Sequence, residues 1–282
     1  MNKLILLFCV FTGLCKAQVL GSVWDAPAID HKIPAAQWDC NQSKRPVPLP
    51  FLREADIAWS KKIWRIIDLR EKFNLPYYYP LYPTNGCSSL FDVLKNGIFT
   101  GKINCYSAND DEFAQKFSVD EIKKRMVKID TSIFYETNER GEEHEIKTII
   151  NDTVGSADIL QYWVKEVFFF DSKRSVLDVR IIGICPVKYD RDKEMYIPLF
   201  WVYFNEIRPV LSAAVSINDK NDKERRNFDE LFMKRKFHSF IYKEGNVYDR
   251  SIGSYAKGMD ALLESDKITN QLRNLECDLW QN

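Results

Sequence analysis

The chain has few of the residues that do chemistry. Its 282 residues include only three histidines, His31, His144 and His238, widely separated along the sequence. There is no GxSxG elbow, phosphate-cradling glycine loop, GxGxxG or HExxH, so the main signatures of hydrolases, nucleotide binders and zinc proteases are missing. Seven cysteines contain no CxxC pair, which argues against a zinc ribbon or a dense disulfide framework. No window approaches twenty consecutive apolar residues, the length a membrane-spanning helix needs. Neither sign of charge is in excess: 40 basic and 40 acidic residues are interspersed, which removes the electrostatic attraction that nucleic-acid binding requires. Internal repeats and low-complexity tracts are absent too.

The first seventeen residues are the clearest positive signal. MNKLILLFCVFTGLCKA has Lys3 as a charged start, an apolar run from Leu4 to Leu14, and Cys15 and Ala17 as small residues flanking Lys16. This reads as a secretory leader, residues 1–17, cleaved before Gln18. Thr12-Gly13-Leu14-Cys15 approaches a lipobox, but Leu14 stands where a small residue is needed. Cleavage removes Lys3 and Lys16 and no acid, so the net charge moves from 0 to −2. It also leaves Cys40, Cys87, Cys105, Cys185 and Cys277, an odd number. A Cys87–Cys105 bridge is the first pairing to expect in an oxidising compartment, against the alternative of small buried thiols.

From Gln18 to Leu52 five prolines are spread among polar residues, with Trp24 and Trp38 isolated between them. Proline fixes φ and removes an amide donor, so residues 18–52 read as an extended arm. Two tryptophans on a polar arm are suited to anchoring in pockets, of the same chain or of a neighbour.

Residues 53–282 read as one α+β domain. In the stretch from Arg53 to Pro80, Ala55, Trp59, Ile63, Ile66, Ile67 and Phe73 recur at helical spacing, which predicts an amphipathic helix ending near Phe73. Ile57 and Trp64 would then form a second apolar patch, and leaving them bare would forgo roughly 1.5–3 kcal/mol each. Asp56 and Arg70 would sit about 21 Å apart along such a helix, so each would need another partner. Pro76 to Pro83 reads as a rigid aromatic loop.

Beyond it, Ser88 or Ser89 can cap a short helix stopped by Gly97, followed by a strand from Ile98 to Tyr106. Ser118 to Glu121 has capping-box spacing for a helix to about Val127. Two hairpins follow, Ile129–Thr137 with Glu145–Asn151, and Ile159–Phe170 with Val176–Tyr189, then a strand from Met195 to Phe204. Asn227 can cap a helix through Lys236, and His238 to Lys243 suits a further strand. Met259, Leu262 and Leu263 mark one closing helix, and Ile268, Leu272, Leu275 and Leu279 another after Ser265. Together these predict a mainly antiparallel sheet with helices packed on it, plus the proline-rich arm.

The succession Arg53-Glu54, Asp56, Trp59, Trp64, Ile67-Asp68, Arg70-Glu71-Lys72, Asn74, Pro76 and Tyr79-Pro80 resembles the hallmark segment of the GldN/PorN family of gliding-motility and type IX secretion proteins. The resemblance extends more loosely over the mature chain, through the tract from Asp158 to Pro186. It implies a non-enzymatic periplasmic subunit that joins an outer-membrane lipoprotein, GldK- or PorK-like, and further copies of itself in a large ring. Inner-membrane motor components resembling GldL and GldM belong to the same machine as further partners. On this reading Trp24, Trp38, Ile57, Trp64, Arg70 and Tyr79 are the candidate partner-facing residues, with no cofactor, metal or nucleic acid involved.

Two alternatives come from other classes. An exported enzyme would have to use Cys87 with His238, or a metal at His144 among Glu142, Glu143 and Glu145, where neighbouring residues of a hairpin turn diverge. A ligand-binding module would need an aromatic-plus-polar pocket, for which the linear sequence shows no concentrated signature.

Overall fold

In the computed structural model, residues 45–84, 86–137, 143–190, 193–218 and 226–281 are described, with the backbone alone for 128–152 and 279–281. The elements in order are β1 (Ile57–Asp68), α1 (Leu75–Tyr78), α2 (Leu90–Phe99), β2 (Cys105–Tyr106), β3 (Lys116–Phe117), α3 (Val119–Met126), β4 (Val127–Thr137) and β5 (Glu143–Thr153). Then come β6 (Ile159–Asp171), β7 (Val176–Asp190), β8 (Met195–Pro198), β9 (Trp201–Tyr203), α4 (Phe204–Ala213), β10 (Val215–Ser216), β11 (Arg226–Asn227), α5 (Phe228–Met233), β12 (Phe240–Glu244) and α6 (Met259–Gln281).

One eight-stranded sheet dominates, in the order β12-β1-β6-β7-β9-β2-β3, with β8 also paired to β7. Its pairings are antiparallel throughout. The expected α+β architecture, mainly antiparallel sheet with helices on it, is therefore present. Separate two-stranded sheets are formed by β10 with β11 and by β4 with β5.

The stretch predicted to be the long helix is instead the strand next to the sheet edge. β1 pairs with β12 on one side and with β6 on the other, from Ile57↔Asp171 to Asp68↔Gln161. Its apolar residues serve two faces. Ile63 and Ile67 look toward the helices, while Trp64, between them in sequence, packs on the opposite side. A strand buried on both faces loses its simple alternation, and the remaining spacing mimics a helical stripe. The β-branched and aromatic content of IAWSKKIWRIID fits a pleated surface better than a helix, and pairing on both edges decides the outcome. Phe73, expected in the core, is 60 % exposed.

The sheet separates two apolar layers. On the helix face, Ile67, Tyr162, Val164, Ile184 and Val202 meet α1, α2, α3, α4 and α5 in the largest cluster. Beside it, Ile63, Phe168 and Ile241 meet Ile268 and Leu272 of α6. On the other face, Trp64, Phe169, Cys185, Trp201 and Tyr203 are covered by Phe113 and by Leu52 from the end of the proline-rich segment. Gly183 of β7 permits that cover: a Cβ there would lie 2.4 Å from the tip of the Phe113 ring and 3.0 Å from the Val202 carbonyl oxygen.

Buried charge stitches the helix face. Glu166, fully buried on β6, accepts from Arg65 Nε on β1 at 3.0 Å and from both terminal nitrogens of Arg235 at 2.8 and 3.1 Å. Arg208 of α4 donates to Asp229 of α5 at 2.8 Å, and its other arm donates to the carbonyl of Val47. Arg180 of β7 likewise donates to the Pro50 carbonyl at 2.6 Å. Residues 45–52 are thereby tied to the body by its arginines.

Several local expectations change. Helix α2 is capped by Ser89, whose Oγ accepts from the Asp92 amide, but Gly97 lies inside it. There the glycine makes room for Ile103, whose Cδ1 would sit 2.3 Å from an added Cβ. The strand expected from Ile98 shrinks to β2. Ser118 and Glu121 do form a capping box on α3, and Asn227 caps α5. Both hairpins form, and the expected Met195–Phe204 strand is split by Leu199 and Phe200 into β8 and β9. Helix α4 has no counterpart among the expected elements, and it holds Pro209 in its interior, where proline is ordinarily disfavoured. The two closing helices are one, α6, docked through Ser265, Ile268 and Leu272, while Leu262 and Leu263 stay exposed. Pro76 to Pro83 contains a helical turn, α1, that buries Tyr77. Cys87 and Cys105 are both free thiols, so the expected bridge is not made. Cys105 lies buried in the core on β2, and Cys40 falls outside the described residues.

This packing makes three stability predictions. Glu166→Leu leaves buried Arg65 and half-buried Arg235 without their shared carboxylate and should cost about 3–5 kcal/mol in chemical denaturation. Asp56→Asn, which removes an exposed partner of Arg53, should cost under about 1 kcal/mol. Gly183→Ala should cost about 1–3 kcal/mol, since Phe113 and the β9 backbone must both give way.

Candidate partner interface

Downstream of β1 the chain makes a tight, heavily anchored excursion over residues 69–83. Asp68 closes the strand and turns back on Arg70: its carboxylate accepts from the Arg70 backbone amide at 3.0 Å, from Nε at 2.9 Å, and from the terminal guanidinium nitrogen. Burial pushes the Asp68 carboxyl up, but the hydrogen bonds and charge of Arg70 outweigh it and hold the group below the usual carboxylate range. Asp68 in turn raises the Arg70 guanidinium further above its already high value.

The next anchor is Asn74, fully buried. Its amide nitrogen donates to the carbonyls of Asp68 at 2.7 Å and His238 at 2.9 Å, and its oxygen accepts from the His238 amide at 2.8 Å. Tyr77 packs against Phe232 with ring centres 5.1 Å apart and planes tilted by 49°, and donates to the Lys236 carbonyl at 3.2 Å. Ser216 Oγ donates to the Pro76 carbonyl at 2.8 Å. With its backbone fixed from below, the excursion presents Arg70, Phe73, Tyr79 and Tyr82 outward, and Tyr82 is 82 % exposed. Three aromatic side chains held in water on a rigid loop form a surface that costs little ordering entropy to bind.

The other face of the sheet holds a cavity of about 610 Å³, with Trp64, Trp163, Trp201, Tyr242, Lys165 and Asp111 among its walls. Trp64 Nε1 donates to Asp111 Oδ2 at 2.5 Å, and the Lys165 ammonium donates to the Asp111 carbonyl at 2.6 Å and pairs with its carboxylate at 3.3 Å. Lys243 lies 4.6 Å from the centre of the Trp64 ring and pairs with Asp249 at 2.7 Å. Burial pushes the Lys165 ammonium down, against the charge of Asp111. Trp163 Nε1 is buried with no hydrogen-bond partner among the described residues.

The six residues expected to face partners therefore fall into three groups. Trp24 and Trp38 lie outside the described residues. Ile57 packs at the edge of the second-face cluster, and Trp64 is only 5 % exposed, bonded to Asp111 and lying beside Lys243 of β12, so the two do not form an open patch. Arg70 and Tyr79 are exposed on the anchored excursion. Phe73 and Tyr82, missed as candidates, stand with them. Phe73 had been assigned to the helical stripe, and a lone tyrosine in a proline-rich loop carries no sequence signal of its exposure. Asp56 finds Arg53 and Arg70 finds Asp68, both on the same chain.

The residues considered for chemistry are dispersed. Cys87 is held by a backbone bridge to Val215, and His238 Nδ1 lies 2.5 Å from Glu71 Oε2. The His144 side chain and all of Glu142 lie outside what is described. Among the described residues no helix is long and apolar enough to cross a membrane.

The family model described as gliding motility associated protein GldN matches residues 52–281 of the chain. No curated protein matches the chain.

The anchors make two predictions. Asn74→Ala leaves buried carbonyl and amide groups unpaired and should cost about 1–3 kcal/mol. For Asp68, whose folded value is depressed, the stabilisation is present above the ordinary carboxylate range and is lost as pH falls through the folded value. The melting temperature of wild type should exceed that of Asp68→Asn at about pH 7, and the gap should narrow steadily toward about pH 3.

Proposed function

The chain belongs to the GldN family and is a component of the gliding-motility and type IX secretion machinery, and from that premise we propose that it is a non-enzymatic structural subunit of it. It is exported by its leader, works in the periplasm, and joins an outer-membrane lipoprotein of the GldK/PorK type and further copies of itself in a ring. Inner-membrane motor components of the GldL/GldM type are the partners across the periplasm. The supporting observation is the anchored excursion. The part of the family-like segment that follows β1 uses buried Asn74, Tyr77 and Asp68 to hold Arg70, Phe73, Tyr79 and Tyr82 in the open, an arrangement suited to docking rather than to catalysis. The arm, with Trp24 and Trp38, adds a second point of attachment.

A second reading, an exported ligand-binding module, draws on the aromatic cavity around Trp64 and Trp163. A ligand that raised the melting temperature of the monomer and quenched its tryptophan fluorescence would favour it.

The subunit reading is tested by combining Phe73→Ser, Tyr79→Ser and Tyr82→Ser. These exposed positions should change stability by only about 0.5 kcal/mol each. Far-ultraviolet dichroism should be unchanged while co-purification with the outer-membrane lipoprotein is lost. Retention of the lipoprotein by the triple variant would contradict the reading.

A further inference from the structure

We propose that the second-face cavity binds a neutral saccharide, a pyranose unit lying on the rings of Trp163 and Tyr242. The inference rests on the ligand-binding reading of that cavity, to which it gives a ligand class, and is independent of the subunit reading.

The cavity is roomy and already built. Its volume of about 610 Å³ falls within the roughly 300–1,000 Å³ of small-ligand sites. The sheet supplies the floor, and the loop that forms one wall is fixed at successive residues. Asp110 accepts from the amides of Glu112 and Ala114 at 2.9 and 3.2 Å. Asp111 is bonded to Trp64 and Lys165, and Phe113 packs edge-on against Tyr106, Trp201 and Tyr203. A wall that is ordered beforehand leaves little ordering entropy to be lost when a ligand binds.

Charge does not select the ligand, because each charged group of the lining is answered within it. Lys165 pairs with Asp111 at 3.3 Å, Lys243 with Asp249 at 2.7 Å, and Lys62 faces Glu112 at 4.0 Å, while Asp110 is held by its two amides. An ionic ligand would have to break one of these contacts before it found a partner. The polar groups left unspent are uncharged: among the described residues the Tyr242 hydroxyl and the Asn109 side-chain amide, both in the lining, make no hydrogen bond. Burial pushes the Tyr242 phenol up, so the hydroxyl keeps its proton and can both donate and accept.

Aromatic surface is left over as well. The Trp64 ring is taken, with the Lys243 and Lys165 ammonium groups 4.6 and 5.3 Å from its centre, and Trp201 is buried against Phe113. Trp163 and Tyr242 are only half-buried, their ring centres 5.2 Å apart and their planes tilted by 39°. A pyranose ring has C–H bonds on its faces and hydroxyls around its edge, so it can lie on these rings while its hydroxyls meet Tyr242 and Asn109. A wholly apolar ligand would leave both polar groups unpaired.

The test titrates the mature full-length protein by calorimetry and tryptophan fluorescence. Maltose, cellobiose and N,N′-diacetylchitobiose are the neutral probes, with glucuronic acid as an anionic probe and N-acetyltryptophanamide as a peptide-like one. At least one neutral disaccharide should bind, with the same affinity at low and high salt because no ion pair is made. Trp163→Leu should weaken that binding by about tenfold or more, and Tyr242→Phe by several-fold, with far-ultraviolet dichroism unchanged. If Trp163→Leu does not fold, Asn109→Ala at an exposed position takes its place, with a several-fold loss expected. Co-purification of the cavity variants with the outer-membrane lipoprotein should persist. Preference for glucuronic acid or N-acetyltryptophanamide over all three disaccharides would overturn the saccharide inference while leaving a ligand-binding cavity. Disaccharide binding that none of the variants weakens would overturn it too, by placing the sugar elsewhere. Silence with every probe would remove the ligand-binding reading, and this inference with it, without touching the subunit reading.

Discussion

The carboxylate of Glu166 lies in the interior with an arginine on either side, and the arrangement of the helix face follows from the need to neutralise it. A buried carboxylate without partners would cost several kcal/mol, so β1, which carries Arg65, and the turn after α5, which carries Arg235, must both close on β6. Arg235 is placed for this by the end of α5: at φ 50° it is the left-handed residue that closes the helix, its amide donating to the Phe232 carbonyl at 3.0 Å and that of Lys236 to the Leu231 carbonyl at 2.9 Å. The ion cluster lies between the large apolar cluster under α1 to α5 and the smaller one under α6, and thereby fixes where each helix group may sit.

With β1 locked on both edges, the position of everything immediately after it is set. Asp68 ends the strand, and its hydrogen bonds to Arg70 and the buried amide of Asn74 turn the chain outward within six residues. The family-like segment thus has two physical roles in sequence. Its first half is internal, contributing Ile63 and Ile67 to one layer and Trp64 to the other. Its second half is a loop pinned to the core by Tyr77, with Phe73 and Tyr82 exposed and Tyr79 half-exposed beside Tyr78. The second-face cavity is bounded by the same strand, with Trp64 as one of its walls.

Much of the fold was legible where a local rule acts alone. The capping side chains of Ser89, Ser118 and Asn227 sit where spacing places them, and the β6–β7 hairpin matches its predicted span almost residue for residue. The failures have separate local causes. β1 was misread because burial on two faces removes the alternation that identifies a strand, leaving Ala55, Trp59, Ile63 and Ile66 in accidental helical register. α4 holds Pro209 in its interior, where proline is ordinarily disfavoured, and Gly97 was taken for a stop when it was needed for the approach of Ile103. On the anchored loop, Arg70 and Tyr79 are legible as candidates in the sequence, although Arg70 is paired with Asp68 of its own chain, whereas the exposure of Phe73 and Tyr82 depends on a chain direction that only the tertiary anchors decide. The cavity gathers Trp64, Trp163, Trp201 and Tyr242 from four strands, a convergence that no stretch of linear sequence displays.

The central claim is that one continuous segment divides at Asp68 into an internal strand and a docking loop. Amide hydrogen exchange, compared between the free protein and its assembly with the outer-membrane partner, tests it most directly. The account predicts that residues 57–68 exchange slowly in both states, while residues 70–82 gain protection only on assembly. Rapid exchange of residues 57–68 in the free protein, with protection appearing only in the complex, would contradict it, because the strand would then be completed by the partner rather than by the chain itself.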